Sequence, residues 1–124
     1  MTRAADPLTI GERLTVNRRR AGWSQVRLAR KLRIAQSLIA AYEKDEFDPA
    51  ARVPAALAVD PEPLAAHERL FVFRRRLGLT VDAAARMIGR FREHWAGLEG
   101  GRATKEQVAE ALDALKNHEE ESDV

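Results

Sequence analysis

The sequence predicts an all-α protein made of two consecutive small helical bundles, and three observations lead to this prediction. Apolar residues recur at spacings of three and four along most of the chain, and no segment shows the alternation that is typical of a strand. Residues that favour helix ends separate these segments. A shift of 56 positions also aligns the first half of the chain with the second, which places residues 18–20 (Arg-Arg-Arg) opposite residues 74–76 (Arg-Arg-Arg).

The internal repeat extends well beyond the arginines. The same shift, without a gap, pairs apolar with apolar and acidic with acidic residues: Leu14 with Leu70, Ala29 with Ala85, Leu32 with Ile88, and Glu43 with Glu99. Such agreement over about thirty residues is hard to obtain by chance. We therefore predict a first domain at residues 1–60, a second, divergent domain at residues 61–118, and an acidic disordered tail at residues 119–124.

The first copy contains the signals of three successive helices. Thr9 with Glu12 is a capping box that begins a helix ending near Gly22. Ser24 is suited to cap a second helix over residues 25–32. A turn at residues 33–35 then leads to a third helix over about residues 36–44, and a short helix after Pro54 completes the copy.

The second copy repeats this order. Asp60 is the expected cap of a helix that starts at residue 62 or 63 and ends at Leu77, and Thr80 caps the next helix. The third helix is expected over residues 91–99. Thr104 and Gln107 form another capping box before a last helix.

Composition excludes several classes of function. The chain has no cysteine and three scattered histidines, so neither a metal site nor a cofactor is expected. No paired carboxylates, nucleophile–base set or phosphate-binding loop suggests an enzyme. No apolar run is long enough to span a membrane and no signal-peptide core is present, so we expect a cytoplasmic or nucleoid protein. Net charges are +4 for residues 1–60, +2 for residues 61–118 and −4 for residues 119–124, so a basic body is suited to a polyanion.

These motifs resemble the lambda-repressor-like (Cro/C1-type, XRE) helix-turn-helix DNA-binding domains. The first copy carries the family's pattern in Arg18, Gly22-Trp23-Ser24-Gln25, Leu28-Ala29, Gln36-Ser37 and Glu43. The second copy matches more loosely, in Arg74, Gly78-Leu79-Thr80, Ala84-Ala85 and Glu99-Gly100-Gly101, and Val81 replaces the glutamine. The resemblance implies two such bundles, in each of which the helix after the turn enters the DNA major groove.

The resemblance also implies roles for individual residues. Arg18 with Glu43, and Arg74 with Glu99, are expected to form ion pairs inside the two domains. Expected base contacts come from the third helix of each copy: Gln36, Ser37, Ala40, Ala41, Arg92 and Glu93. Expected phosphate contacts come from helix starts and nearby cations: Ser24, Gln25, Arg27, Lys44, Arg20, Arg76, Arg90 and His94.

The function expected from the sequence is that of a DNA-binding transcriptional regulator, and a repressor resembling phage immunity repressors is favoured. In this interpretation the chain is a monomer that binds double-stranded DNA, and its two units contact adjacent parts of one asymmetric operator. One alternative is a dimeric regulator or antitoxin in which the second unit and the last helix form an interface. Another is a protein-binding adaptor without a DNA partner, and binding to DNA that weakens as salt rises would exclude it.

Overall fold

The protein is all-α, as the sequence predicts. The computed structural model describes residues 6–122, and within this range it contains eight α-helices, one short 3-10 turn and no strand. The chain divides into two compact units. The N-terminal unit spans residues 7–63, and the C-terminal unit consists of residues 64–122 together with Asp6.

The N-terminal unit contains four helices and the 3-10 turn. Their bounds are α1 (Ile10–Arg20), α2 (Gln25–Leu32), α3 (Gln36–Glu43), the 3-10 turn (Ala50–Arg52) and α4 (Ala55–Ala58). Thr9 and Glu12 form the predicted capping box at the start of α1. The Ser24 hydroxyl accepts a hydrogen bond from the Arg27 N–H at 3.1 Å, and this contact fixes the start of α2.

The core of the N-terminal unit lies between α1, α2 and α3. Its buried side chains are Leu14, Leu28, Ala29, Ile39, Tyr42 and Val53. A three-residue turn, residues 33–35, joins α2 to α3. Because Leu28 and Ala29 from α2 are buried with Ile39 from α3, this core fixes the two helices relative to each other.

The C-terminal unit contains α5 (Ala66–Arg76), α6 (Val81–Met87), α7 (Arg92–Glu99) and α8 (Lys105–Ser122). Thr80 caps α6, and Thr104 with Gln107 forms the predicted capping box at the start of α8. The predicted start of α5 is wrong. Its N-cap is Ala65 rather than Asp60, because the Glu68 carboxylate accepts a hydrogen bond from the Ala65 N–H at 2.9 Å.

The core of the C-terminal unit is built around Trp95, which is fully buried. The other buried side chains come from all four helices: Leu70, Phe73, Ala84, Ala85, Leu98, Val108, Ala111 and Leu115. Since α8 supplies three of them, the last helix completes the core of this unit.

The first and third helices of the N-terminal unit approach each other closely at Gly11. A Cβ atom at Gly11 would lie 2.5 Å from the Tyr42 carbonyl oxygen. The side chain that occupies this region belongs to Asp45, whose carboxylate accepts hydrogen bonds from the Gly11 N–H at 2.8 Å and the Thr9 hydroxyl at 2.5 Å. The missing side chain at Gly11 is therefore a steric requirement.

The C-terminal unit has the opposite arrangement at the same two repeat positions. His67 corresponds to Gly11, and Gly101 corresponds to Asp45. A Cβ atom at Gly101 would lie 3.3 Å from the His67 ring, and the positive φ of +80° at this residue favours glycine. Each unit thus places one side chain in this space: the N-terminal unit from the turn after its third helix, and the C-terminal unit from its first helix.

The predicted disordered tail is wrong for residues 119–122, which continue α8. The inward face of α8 runs through Val108, Ala111 and Leu115 to Glu119, at helical spacings of three and four. Glu119 is 4% exposed, so this face keeps its burial into the last turn. Residues 123 and 124 lie outside the described residues.

No helix in the described range, residues 6–122, combines the length and apolar composition needed to cross a membrane.

Candidate nucleic-acid interface

The arginine–glutamate pairs expected from the resemblance are both formed; Glu43, Glu99 and Arg74 are buried, and Arg18 is partly buried. Arg18 Nε donates to Glu43 Oε2 at 2.6 Å, and Arg18 Nη2 donates to Glu43 Oε1 at 3.1 Å. Arg74 and Glu99 make the same two contacts, at 2.6 and 3.2 Å. Each arginine also donates at 2.7 Å to a backbone carbonyl five residues later, Trp23 or Leu79. These contacts join the first helix of each unit to the third helix and to the segment before the second.

Gln25 connects the buried pair of the N-terminal unit to its surface. Its Nε2 donates to Glu43 Oε1 at 3.0 Å. Because Glu43 has only acceptor oxygens, this contact turns the Gln25 carbonyl oxygen away from Glu43 and toward α3. There it accepts a long hydrogen bond of 3.5 Å from Gln36 Nε2. The buried carboxylate therefore orients Gln25, and Gln25 orients the exposed side chain that begins α3.

The starts of α2 and α3 together form a surface that is suited to an anion. Ser24, Gln36 and Ser37 are exposed, and neither first turn carries an acidic residue. The N–H groups of a first turn have no partner within their helix, and the helix dipole adds partial positive charge there. Two helix starts without acidic residues thus lie beside the amide of Gln36.

The predicted cations of the N-terminal unit differ in their surroundings. Arg27 and Lys44 are exposed. The Arg27 guanidinium lies 5.5 Å from the centre of the Trp23 ring, and Lys31 Nζ lies 4.4 Å from it, so two cations lie against one aromatic ring. Arg20 donates from Nη2 to the Pro63 carbonyl at 2.9 Å, so a phosphate contact would compete with this hydrogen bond.

One predicted base contact is contradicted by burial. Ala40 is half-buried, but Ala41 is 8% exposed and has almost no surface to offer a thymine methyl group. The Glu46 N–H donates to the Ala41 carbonyl at 2.9 Å, so the chain turns back at the end of α3.

The corresponding surface of the C-terminal unit carries acidic residues. Asp82 lies in the first turn of α6 and Glu93 in the first turn of α7. Arg92, the predicted guanine contact, lies 3.7 Å from Asp82, and the two side chains are 64% and 55% exposed. Both helix starts thus carry a charge that repels phosphate, and the arginine between them already faces a carboxylate.

The remaining predicted phosphate contacts of the C-terminal unit lie beside other polar groups. Arg90 and His94 line a small open hollow with Gln107 and Glu110 from α8. Arg76 donates from Nη1 to the Asp6 carbonyl at 3.1 Å. A carboxylate thus lies in the hollow with Arg90, and a backbone carbonyl accepts a hydrogen bond from Arg76.

Trp95 has a polar role that the sequence pattern did not predict. Its indole Nε1 donates to Glu99 Oε2, so the second buried carboxylate gains a donor in place of the glutamine that Val81 removes. The signal is present in the repeat, because the shift that pairs Gln25 with Val81 also pairs Ile39 with Trp95. The C-terminal unit thus lacks the glutamine donor at Val81 but has an indole donor at Trp95, and this donor contacts the Glu99 carboxylate.

Comparison with known proteins gives one match. Residues 36–119 match a family described as a family of unknown function (DUF5947). Since the match covers more than half of the chain, the protein belongs to this family. No curated protein and no solved structure matches the chain.

Proposed function

We propose that this member of a family of unknown function is a sequence-specific double-stranded DNA-binding transcriptional regulator. We further propose that it acts as a repressor of the phage immunity type in the bacterial cytoplasm or nucleoid. The observation that carries the proposal is the surface formed by α2 and α3. Exposed Gln36 and Ser37 lie at helix starts that carry no acid, and Gln25 joins Gln36 to the Arg18–Glu43 pair.

The proposed contacts follow from the chemistry of this surface. A phosphate binds at the start of α2, where the backbone N–H groups and the hydroxyl of Ser24 face outward. Arg27 and Lys44 add charge on the DNA backbone. Gln36 contacts adenine, whose N6 and N7 match the donor and acceptor of an amide. Gln25 holds Gln36 in place before binding, so less side-chain freedom is lost on the DNA.

The C-terminal unit fits a supporting role better than that of a second base-contacting unit. A phosphate at α6 would lie beside Asp82, and one at α7 beside Glu93. Arg92 can leave its exposed ion pair at a cost of about 1 kcal/mol or less, but the acidic surroundings remain. Asp82 and Glu93 therefore favour the second candidate function, a dimeric regulator or antitoxin whose C-terminal unit contacts a protein. Contact of both units with one asymmetric operator remains the competing prediction.

Selection of bound sequences from a random DNA pool tests the proposal directly. We expect enrichment of a defined motif, and we expect affinity to fall steeply between 50 and 200 mM salt. Failure to enrich any motif, or affinity that does not change with salt, contradicts DNA binding and favours the adaptor. One motif or its inverted repeat supports contact by the N-terminal unit alone, whereas two unrelated motifs side by side support contact by both units.

The Gln36→Ala variant tests the proposed base contact. We expect a relaxed preference at one base pair, with discrimination there reduced by about 1–3 kcal/mol. The control is Asn117→Ala, which removes an exposed amide from α8. If Gln36→Ala and Asn117→Ala show the same sequence preference, Gln36 does not contact a base.

A further inference from the structure

Phe91 is the most exposed large apolar side chain in the described part of the chain. It is 84% exposed. It also occupies the N-cap position of α7, where it makes no side-chain capping hydrogen bond. The repeat places Ala35 at this position in the N-terminal unit, so the fold does not require an aromatic residue there. A residue that is unfavourable both as a cap and as a surface side chain is typical of a binding site.

The charges around Phe91 balance. Two arginines, Arg90 and Arg92, and two acids, Asp82 and Glu93, are exposed beside it in sequence or by contact. We call these five residues the Phe91 patch. Its formal net charge is zero, and both signs are close together, as the Arg92–Asp82 separation of 3.7 Å shows. DNA is therefore a poor partner for this surface, because two of its four charges repel phosphate.

We propose that the Phe91 patch binds the Phe91 patch of a second copy of this chain, about a two-fold axis. A two-fold interface brings a surface against itself, so the surface must be complementary to itself. A central apolar side chain with equal numbers of acids and bases around it meets this requirement. Phe91 packs against Phe91 of the other copy, and Arg92 of each copy exchanges Asp82 of its own chain for an acid of the other.

The dimer is expected to be weak and reversible. Five residues bury less surface than the roughly 800 Å² per partner of a standard interface. We therefore expect dissociation in the micromolar range. This inference rests on the proposed function, because the dimer would carry two N-terminal units to one DNA site. The experiment that tests it needs no DNA.

Sedimentation of the full chain without DNA, over a range of concentrations, tests the inference. We expect the average mass to rise from 13.9 kDa toward twice that value, and Phe91→Ser to lower the association constant at least tenfold. The matched control is Phe47→Ser, which makes the same change at a phenylalanine that is 61% exposed in the N-terminal unit. We expect this control to associate like the wild type, and an unchanged thermal unfolding transition verifies that Phe91→Ser is folded.

A charge exchange gives a sharper test. Asp82→Arg makes the patch positive and Arg92→Asp makes it negative, so each variant alone should remain monomeric. A mixture of the two variants should form a heterodimer, because opposite patches then face each other. This rescue in the mixture would not follow if the substitutions merely disturbed the fold.

Two results would overturn the inference. The first is a wild-type chain that stays monomeric up to about 1 mM. The second is a Phe91→Ser variant that associates like the wild type, even if it binds DNA less tightly, since the patch would then face DNA or another molecule. Neither result bears on DNA binding by the N-terminal unit, which the selection experiment decides separately.

Discussion

The two units of this protein share a scaffold and differ at its surface. In both, an arginine from the first helix contacts a buried glutamate from the third and a carbonyl before the second helix. In the N-terminal unit the starts of the second and third helices carry no acid, whereas in the C-terminal unit each carries one. The contacts that fix the fold are thus separate from the residues that determine what the fold binds.

Removing the arginine–glutamate ion pairs, which both units share, should have the largest effect on stability. We expect Arg18→Ala and Arg74→Ala each to lower the free energy of unfolding by about 3–5 kcal/mol, because each leaves a buried carboxylate uncompensated. Urea unfolding measures the loss, and peptide-resolved hydrogen exchange identifies the unit that opens.

The control for the ion pairs is Arg69→Ala, which removes an exposed arginine from α5. We expect it to change the stability by less than about 0.5 kcal/mol. If Arg74→Ala is no more destabilising than Arg69→Ala, the pair has no structural role in the C-terminal unit.

Placing in the N-terminal unit an acid that the C-terminal unit carries should weaken DNA binding. Val26, 40% exposed in α2, is the repeat counterpart of Asp82. We expect Val26→Asp to weaken DNA binding about tenfold, or about 1.4 kcal/mol, because the new carboxylate faces phosphate. The dependence of affinity on salt should weaken by about one phosphate contact. Equilibrium binding to the selected DNA measures both.

Val59→Asp is the matched control, since Val59 is 56% exposed in the same unit but lies outside the proposed interface. We expect its affinity to stay within twofold of the wild type. The reciprocal change, Asp82→Val, should not raise DNA affinity, because the C-terminal unit has no proposed DNA contact. A large gain from Asp82→Val would mean that the C-terminal unit contacts DNA.

The smallest expected effect concerns a glycine in α7. A Cβ atom at Gly97 would come no closer than 4.0 Å to the Arg102 side chain, so Gly97→Ala should stabilise the C-terminal unit by about 0.5–1 kcal/mol. Gly11→Ala is the contrasting variant, and we expect it to destabilise because its Cβ would meet a carbonyl oxygen at 2.5 Å. Thermal unfolding of both variants shows whether each substitution raises or lowers the stability. A loss of stability in Gly97→Ala would mean that α7 requires the glycine.

Much of the fold is predictable because its signals are local. The capping boxes at Thr9 and Thr104, and the caps at Ser24 and Thr80, depend on residues three positions apart, and apolar spacing locates the helices between them. The partners of both ion pairs are predictable for a different reason, because the resemblance to lambda-repressor-like domains implies them and the repeat gives both pairs the same separation.

The remaining features depend on packing that the sequence does not display. Acidic composition predicts disorder at Glu119, yet burial of the α8 face extends the helix past it. Ala41 is expected on the outward face of its helix, but it is buried. In both cases the burial of a side chain in the folded unit decides the outcome, and local spacing does not reveal it.

The exchanged side chains at Gly11–Asp45 and His67–Gly101 have a consequence for recombining the two units. A hybrid with α5 and the segment 36–45 would place His67 and Asp45 in a space that holds one side chain. The reverse hybrid would set Gly11 beside Gly101 and leave that space empty. A stable chimera must therefore exchange the first helix together with the third helix and the turn that follows it.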